Sequence, residues 1–141
     1  MGDVDAAMRY LRSLPYVNGK VGLIGFCSGG RQTYLGACTL SGVAAAVDCW
    51  GGGVTQGQDQ LTPAMPRWPI EFTEGLNCPL LGLFGDEDPR PSVQDVAETE
   101  ADKFVACNPE TPSIIKLNIV PVINRKIAPY LSLIHISEPR D

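Results

Sequence analysis

The stretch Val21-Gly22-Leu23-Ile24-Gly25-Phe26-Cys27-Ser28-Gly29-Gly30-Arg31 sets a cysteine at the centre of a Gly-x-Cys-x-Gly turn, between a short apolar run and a helical pattern. Glycines two residues either side are what a sharp strand-to-helix turn requires, because a side chain at either position would strike the backbone crossing it. Such a bend strains the residue at its apex and lifts its side chain clear of the sheet. The helix that starts behind Cys27 directs unpaired amides and the positive end of its dipole at the sulfur, favouring thiolate over thiol. The N–H of Ser28 is correspondingly placed to receive an oxyanion.

Two plainer readings compete with a nucleophile elbow. Cysteine is among the most frequently buried residue types, so Cys27 taken alone reads as a small core residue; the flanking Gly25, Gly29 and Gly30 shift the balance toward a nucleophile. Strand, glycine-rich turn and helix also describe a dinucleotide-binding loop, with Asp48 at the end of a second apolar run as the ribose acid. On the G-x-G-x-x-G pattern Gly25 and Gly30 fit, but Cys27 occupies the middle glycine, where the backbone must approach the pyrophosphate.

The rest of the chain sets bounds on both. Its 141 residues, 44% of them apolar, are enough for one domain with a sizeable core. With 11 Lys+Arg against 16 Asp+Glu the formal charge is −5, and no basic cluster interleaved with aromatics offers itself to a phosphate backbone, so nucleic acid is not an expected partner. No apolar run is long enough to span a bilayer and the first residues carry no signal pattern, so no membrane association is expected. Cys27, Cys38, Cys49, Cys78 and Cys107 are odd in number, widely spaced and without a C-x-x-C pair. That argues against a zinc or thioredoxin-type site and for a reducing, cytoplasmic setting, with the other four as small apolar residues.

Along the chain, Asp3 is expected to cap a helix with Val4, Ala7, Met8 and Leu11 on one side, ended by Pro15 and Asn18-Gly19. Val21 to Phe26 reads as a strand buried on both faces, followed by a helix from about Ser28 to Leu40 with Tyr34, Leu35 and Cys38 inward. Val43 to Asp48 reads as the next strand, running into Cys49-Trp50-Gly51-Gly52-Gly53. Residues 54 to 77 read as a long irregular loop or lid. Leu80 to Phe84 is a further strand ending at Gly85-Asp86-Glu87-Asp88-Pro89. Ser92 then caps a helix to about Cys107, with Asp95 at the capping-box position and Val93, Val96, Ala97 and Phe104 along one side. Ile114 to Leu117 is one more candidate strand. This alternation defines an α/β domain, a parallel sheet with helices on both faces, whose reactive groups gather beyond the carboxyl ends of the strands. Cys27, Trp50 and the acidic cluster Asp86, Glu87, Asp88 all fall at those ends.

The order of a strand-end nucleophile followed by a strand-end acid, together with Gly25-Phe26-Cys27-Ser28-Gly29-Gly30-Arg31, Asp48-Cys49-Trp50-Gly51-Gly52 and Cys78-Pro79-Leu80-Leu81-Gly82-Leu83-Phe84-Gly85-Asp86-Glu87-Asp88, resembles the dienelactone hydrolase (carboxymethylenebutenolidase) family over roughly residues 3 to 110. The resemblance implies a partial α/β-hydrolase fold and a Cys-His-Asp triad that opens a small-molecule ester or lactone through a thioester, without cofactor or metal. It assigns the nucleophile to Cys27, the oxyanion donor to Ser28 and, through the Gly-x-x-Asp pattern, the acid to Asp88. By charge alone Asp86 is equally placed. Trp50 and the loop around Trp68 are candidate walls of a pocket, and Arg31 and Arg67 candidate holders of a substrate carboxylate; ordinary core or solvated roles compete for all four.

The chain also departs from the family pattern. Strands that precede the elbow in the family are absent, which is expected to leave a sheet edge unpaired. No histidine stands at 115–125, where a Gly-x-x-His turn is due. The single histidine, His135, lies in Leu131-Ser132-Leu133-Ile134-His135-Ile136-Ser137-Glu138-Pro139-Arg140, which resembles translated adapter read-through in metagenomic reading frames. The domain is therefore expected over residues 1–117, truncated at both ends, with 118–141 a non-native tail and His135 outside the triad. As this fragment the hydrolase is expected to be weak or inactive. A redox-responsive thiol module of the same fold is the alternative function, and the oligomeric state is not legible.

Overall fold

The computed structural model describes residues 1–55, 61–63, 65–85 and 87–106, together with 133–136; of 102–106 and 133–136 only the backbone is described. The elements run α1 (Gly2–Ser13), β1 (Val21–Phe26), α2 (Ser28–Thr39), β2 (Val43–Cys49), a 3₁₀ helix (Pro69–Gly75), β3 (Leu80–Leu83), α3 (Val93–Ala106) and β4 (Leu133–Ile136). The strands form one sheet in the order β3-β2-β1-β4, and every pairing is parallel.

β1 follows from its composition. Val21, Gly22, Leu23 and Gly25 are all buried, so both alternations of the strand are covered, as in a sheet with cover on each face. α2 lies across β1 and β2, and α1 packs on β1. Their inward residues share one core, in which Met8 of α1, Tyr34 and Ala37 of α2, and Val21 and Leu23 of β1 exclude water almost completely. Where Gly36 faces Leu23 there is no room for a side chain without displacing the leucine, which is how α2 comes to lie so near the sheet.

The ends of the helices differ in detail from the sequence expectation. α1 begins at Gly2 with Met1 as its cap, so Asp3 lies inside the first turn, where with Asp5 it favours the positive end of the helix dipole. Its last turn is tied down by Arg12, whose guanidinium donates to the Gly42 carbonyl at 2.5 Å, across the turn between α2 and β2. At α3 the expected capping box is present: Ser92 N–H donates to Asp95 Oδ2 at 2.8 Å, and Asp95 N–H donates to Ser92 Oγ at 3.2 Å. The Ser92 hydroxyl also donates to Asp95 Oδ2, at 2.8 Å, and it is chiefly this bond that holds the Asp95 carboxyl below its ordinary range. The inward side of α3 is carried by Val96 and Thr99, whereas Val93 and Ala97 are exposed. The candidate strand 114–117 and Phe104's side chain lie outside the described residues.

Two further differences bear on the site. The stretch read as an irregular loop contains the 3₁₀ helix, and it is packed rather than peripheral: Trp68 is 4% exposed and Thr73 3%. Proline at the first position of a helix and glutamate at the third explain it locally, since Glu71 Oε1 accepts from Trp68 N–H at 2.9 Å. Thr73 Oγ1 donates to the Ile70 carbonyl, so in its 2.7 Å contact with Tyr34 the tyrosine hydroxyl is the donor. The second difference is the outer edge of β1. It is paired with β4, in the register Ile24↔His135 and Gly25↔Ile136, rather than left open.

Tyr34→Phe removes the donor that ties the 3₁₀ helix to α2 and leaves a buried hydroxyl lone pair without its partner. It is expected to lower unfolding stability by about 1–2 kcal/mol, read as a fall in the urea midpoint at constant m-value.

Candidate active site

β1 ends at Phe26, and Cys27 turns the chain at φ 55°, ψ −122°, a conformation that L-residues rarely adopt and that costs about 1–3 kcal/mol. The bend is held from both sides. Cys27 N–H donates to the Cys49 carbonyl at 2.9 Å, while its own carbonyl accepts from Gly30 N–H at 2.9 Å and Arg31 N–H at 3.3 Å as α2 begins. The thiol is exposed. Ser28 is the first helical residue, so its N–H has no carbonyl one turn earlier in α2 to bind, and it belongs to the set of orphan amides at a helix start.

The glycines of the motif are there for space. A Cβ on Gly25 would overlap the Gly29 carbonyl and press on Thr33 Oγ1; one on Gly30 would meet Asp48 Oδ1. Only bare backbone allows the first turn of α2 to sit this close to the strand ends.

Register places three strand ends level. Phe26 pairs with Cys49, and Cys49 with Leu83; Trp50 N–H then donates to the Leu83 carbonyl at 2.8 Å. Cys27, Trp50 and Phe84 therefore follow directly on one rim. Trp50 also has positive φ, 43°, and its ring lies 5.4 Å from that of Phe26 at a tilt of 52°. It is half-buried beside the elbow. Asp88 lies in the loop beyond β3, partly buried, with Oδ1 accepting from Arg90 N–H at 2.9 Å. That loop reaches back over the turn after β2, since Arg90 and Pro91 stand 3.8 Å from where a Cβ on Gly52 would be. Glu87 is exposed, and Asp86 lies outside the described residues.

The arginines part company. Arg67 is engaged within its own segment: Nε donates to Glu71 Oε2 at 3.1 Å and Nη2 to the Glu71 carbonyl at 3.0 Å, and the guanidinium covers Phe72 at 4.3 Å. Trp68 belongs to the core rather than to a pocket wall. Arg31, in the first turn of α2, is half-buried, with Nε enclosed and without a partner among the described residues. Among the described residues no group of His, Cys, Asp and Glu could hold a metal ion, and no helix is long and apolar enough to cross a membrane. His135 is placed only by its backbone, beside Ile24 within the sheet.

One residue of the site is offered by the sequence only as the acid of the rival dinucleotide-binding loop and as part of the family-like stretch, without a role at the elbow. Asp48, the only acid in β2, is 2% exposed, and its Oδ1 accepts from Gly51 N–H at 2.9 Å. Burial pushes its carboxyl up to about 7, against which that hydrogen bond works only partly. Its neighbour Cys49 is pushed up to about 11, first by burial and then by the Asp48 charge. The available signal was an acid closing an apolar strand just before Cys49-Trp50-Gly51-Gly52-Gly53.

A parallel sheet, an exposed cysteine on a strained strand-to-helix bend and free helix amides behind it define an α/β-hydrolase type of fold. Comparison with known proteins makes this specific. The model of the dienelactone hydrolase family matches residues 1–110, and the chain belongs to that family. It is 36% identical over 124 residues to a carboxymethylenebutenolidase of Pseudomonas putida, covering 75% of this chain and 50% of that protein. A Synechocystis relative described as a carboxymethylenebutenolidase is 35% identical over 101 residues, covering 71% of this chain and 39% of its own. Among solved structures, a Klebsiella pneumoniae protein described as a dienelactone hydrolase superposes with a TM-score of 0.66 at 29% identity, over 81% of this chain and 45% of that one. The Pyrococcus furiosus esterase Pf2001 shares the fold, with a TM-score of 0.63 at 16% identity over 82% and 50% of the two chains. The chain thus spans about half the length of these relatives or less.

Asp48 makes stability depend on pH in a definite direction. The unfolded carboxyl gives up its proton near 3.8, whereas the folded one keeps it to about 7. Between those values the folded state binds more protons, so stability falls as pH rises, by about 4 kcal/mol across the window. Glu71 and Asp95, both held below their ordinary values, act in the opposite sense and only at lower pH. Urea midpoints are expected to drop between pH 4.5 and 7.5 in the native chain and to stay level across that range in Asp48→Asn.

Proposed function

We propose that this chain is the nucleophile-bearing part of a hydrolase of carboxylic esters or lactones, with Cys27 as nucleophile, Ser28 N–H as oxyanion donor and Asp88 as the acid of the triad. The observation that carries the reading is the strained, exposed Cys27 at the start of α2. The names of the relatives, carboxymethylenebutenolidase and dienelactone hydrolase, support a small cyclic or activated ester as substrate. In this mechanism the Cys27 thiolate attacks the carbonyl carbon, and the oxyanion accepts a hydrogen bond from Ser28 N–H. Collapse breaks the acyl C–O bond and the alkoxide leaves with a proton from water; a second water then hydrolyses the thioester. Asp88 would orient an imidazole and stabilise it once protonated.

The chain's single histidine stands in β4, its backbone at the level of Ile24 and short of the strand end that carries Cys27. On this reading His135 is not the triad base, and both steps proceed without the general-base assistance normally worth about 10²–10⁴-fold. The family match ends at residue 110, which supports treating 118–141 as a tail foreign to the hydrolase domain. All four described cysteines are free, which supports a reducing, cytoplasmic compartment.

With p-nitrophenyl acetate the chain is expected to release about one equivalent of p-nitrophenol in a burst, with slow turnover afterwards and an acetyl group on the peptide bearing Cys27. Iodoacetamide is expected to label Cys27 ahead of the buried Cys38, Cys49 and Cys78. A burst that survives Cys27→Ala overturns the assignment, and labelling of Cys27 without acylation assigns the chain to the redox-responsive thiol modules instead.

A further inference from the structure

We propose that Asp48 is a positioning residue for the Cys27 elbow, its buried carboxyl clamping the Trp50-Gly51 turn against the first turn of α2. The proposal rests on the reading of Cys27 as nucleophile and deepens it. Asp48 pairs with Gly25 across the sheet, level with the last residues of β1 before the bend. From there its Oδ1 occupies the space that a Cβ on Gly30, in α2, and a Cβ on Gly51, in the turn, would each require. The two glycines, one from each element, therefore pack on one another and on the same oxygen. Gly51 N–H donates to that oxygen at 2.9 Å, and the same turn lies against Arg31 N and Gly30 C of α2.

The residues on either side of this contact hold the elbow itself. Cys49, next in the chain, supplies the carbonyl that accepts from Cys27 N–H at 2.9 Å. Trp50, next again, is kept at φ 43° and packs its ring on Phe26, the residue before the nucleophile. A non-glycine residue in that conformation persists only where its surroundings over-determine it, and the Asp48–Gly51 bond closes the turn in which it sits. A carboxyl held 2% exposed costs stability, and an apolar side chain of similar size would have avoided that cost. What an apolar residue would lack is the acceptor for Gly51 N–H. The role needs an oxygen at Oδ1 and does not need the charge, so asparagine is expected to replace aspartate and alanine is not.

The test compares the full chain with Asp48→Asn and Asp48→Ala, reading the rate at which iodoacetamide alkylates Cys27, followed peptide by peptide. Asp48→Asn is expected to stay within about twofold of the native rate, while Asp48→Ala falls about tenfold or more at unchanged far-UV circular dichroism, the scale of loss expected from a misplaced reacting group. Native-rate alkylation in folded Asp48→Ala overturns the proposal, as does a loss in Asp48→Asn equal to that in alanine. Hydrogen exchange of the Gly51 amide in the native chain provides an arm that needs no alanine variant. Protection comparable to the Cys27 amide supports the clamp, and free exchange overturns it. Because alkylation reads the sulfur whether or not an ester is cleaved, failure of the acylation experiment leaves these outcomes interpretable separately.

Discussion

The close approach of the first turn of α2 to the ends of β1 and β2 is the constraint on which the rest of the rim depends. Gly25 and Gly29 pass without side chains between them, and Gly30 and Gly51 meet beside the Asp48 carboxyl. Given that separation, Cys27 has no ordinary conformation open to it and adopts φ 55°. Its amide reaches the Cys49 carbonyl, and α2 starts at once behind it. The strain at Cys27 is thus a local cost set by the packing of a helix on a sheet, and the burial of Met8, Leu23 and Tyr34 on the same layers is what offsets it. Exposure of the sulfur and proximity of free amides come from one geometric fact.

Most of this frame could be read from the sequence because it is written in local signals. The apolar run Val21 to Phe26, the Gly-x-Cys-x-Gly bend, the helix after it and the Ser92–Asp95 cap depend on residues within a few positions of one another. Features that depend on distant partners were not legible. Trp68 and Thr73 are buried, and Tyr34 reaches Thr73 of the 3₁₀ helix from α2, a contact that residues 54–77 alone do not announce. The inward face of α3 passes through Val96 and Thr99 and leaves Val93 in water, since its orientation is set by what it packs on and not by its own periodicity.

The same division runs through the site. The bend at Cys27 and Ser28 is legible because it has a local sequence signature; the place of Asp48 beside it is not, because that lies in the two glycines that close on it from other elements. An acid ending an apolar strand is compatible with a solvated turn, and only the packed structure makes it an interior group with a proton held to about pH 7. The edge of β1 is the other instance. Residues 133–136 pair there although nothing in their composition links them to the domain, which is the usual behaviour of an edge strand offering regular backbone donors and acceptors.

Cys49 carries a consequence for how the sulfur at position 27 ages. Its thiol, buried and pushed up to about 11, stays protonated at any physiological pH, one strand away from the exposed cysteine. Peroxide that converts Cys27 to a sulfenic acid therefore finds no ready resolving thiolate in Cys49, nor in the interior Cys38 and Cys78. Among the described residues no cysteine takes that part, and recovery falls to a small thiol arriving from solution, such as glutathione, through a mixed disulfide at the open rim. Where such thiols run short, oxidation proceeds to the irreversible sulfinic state.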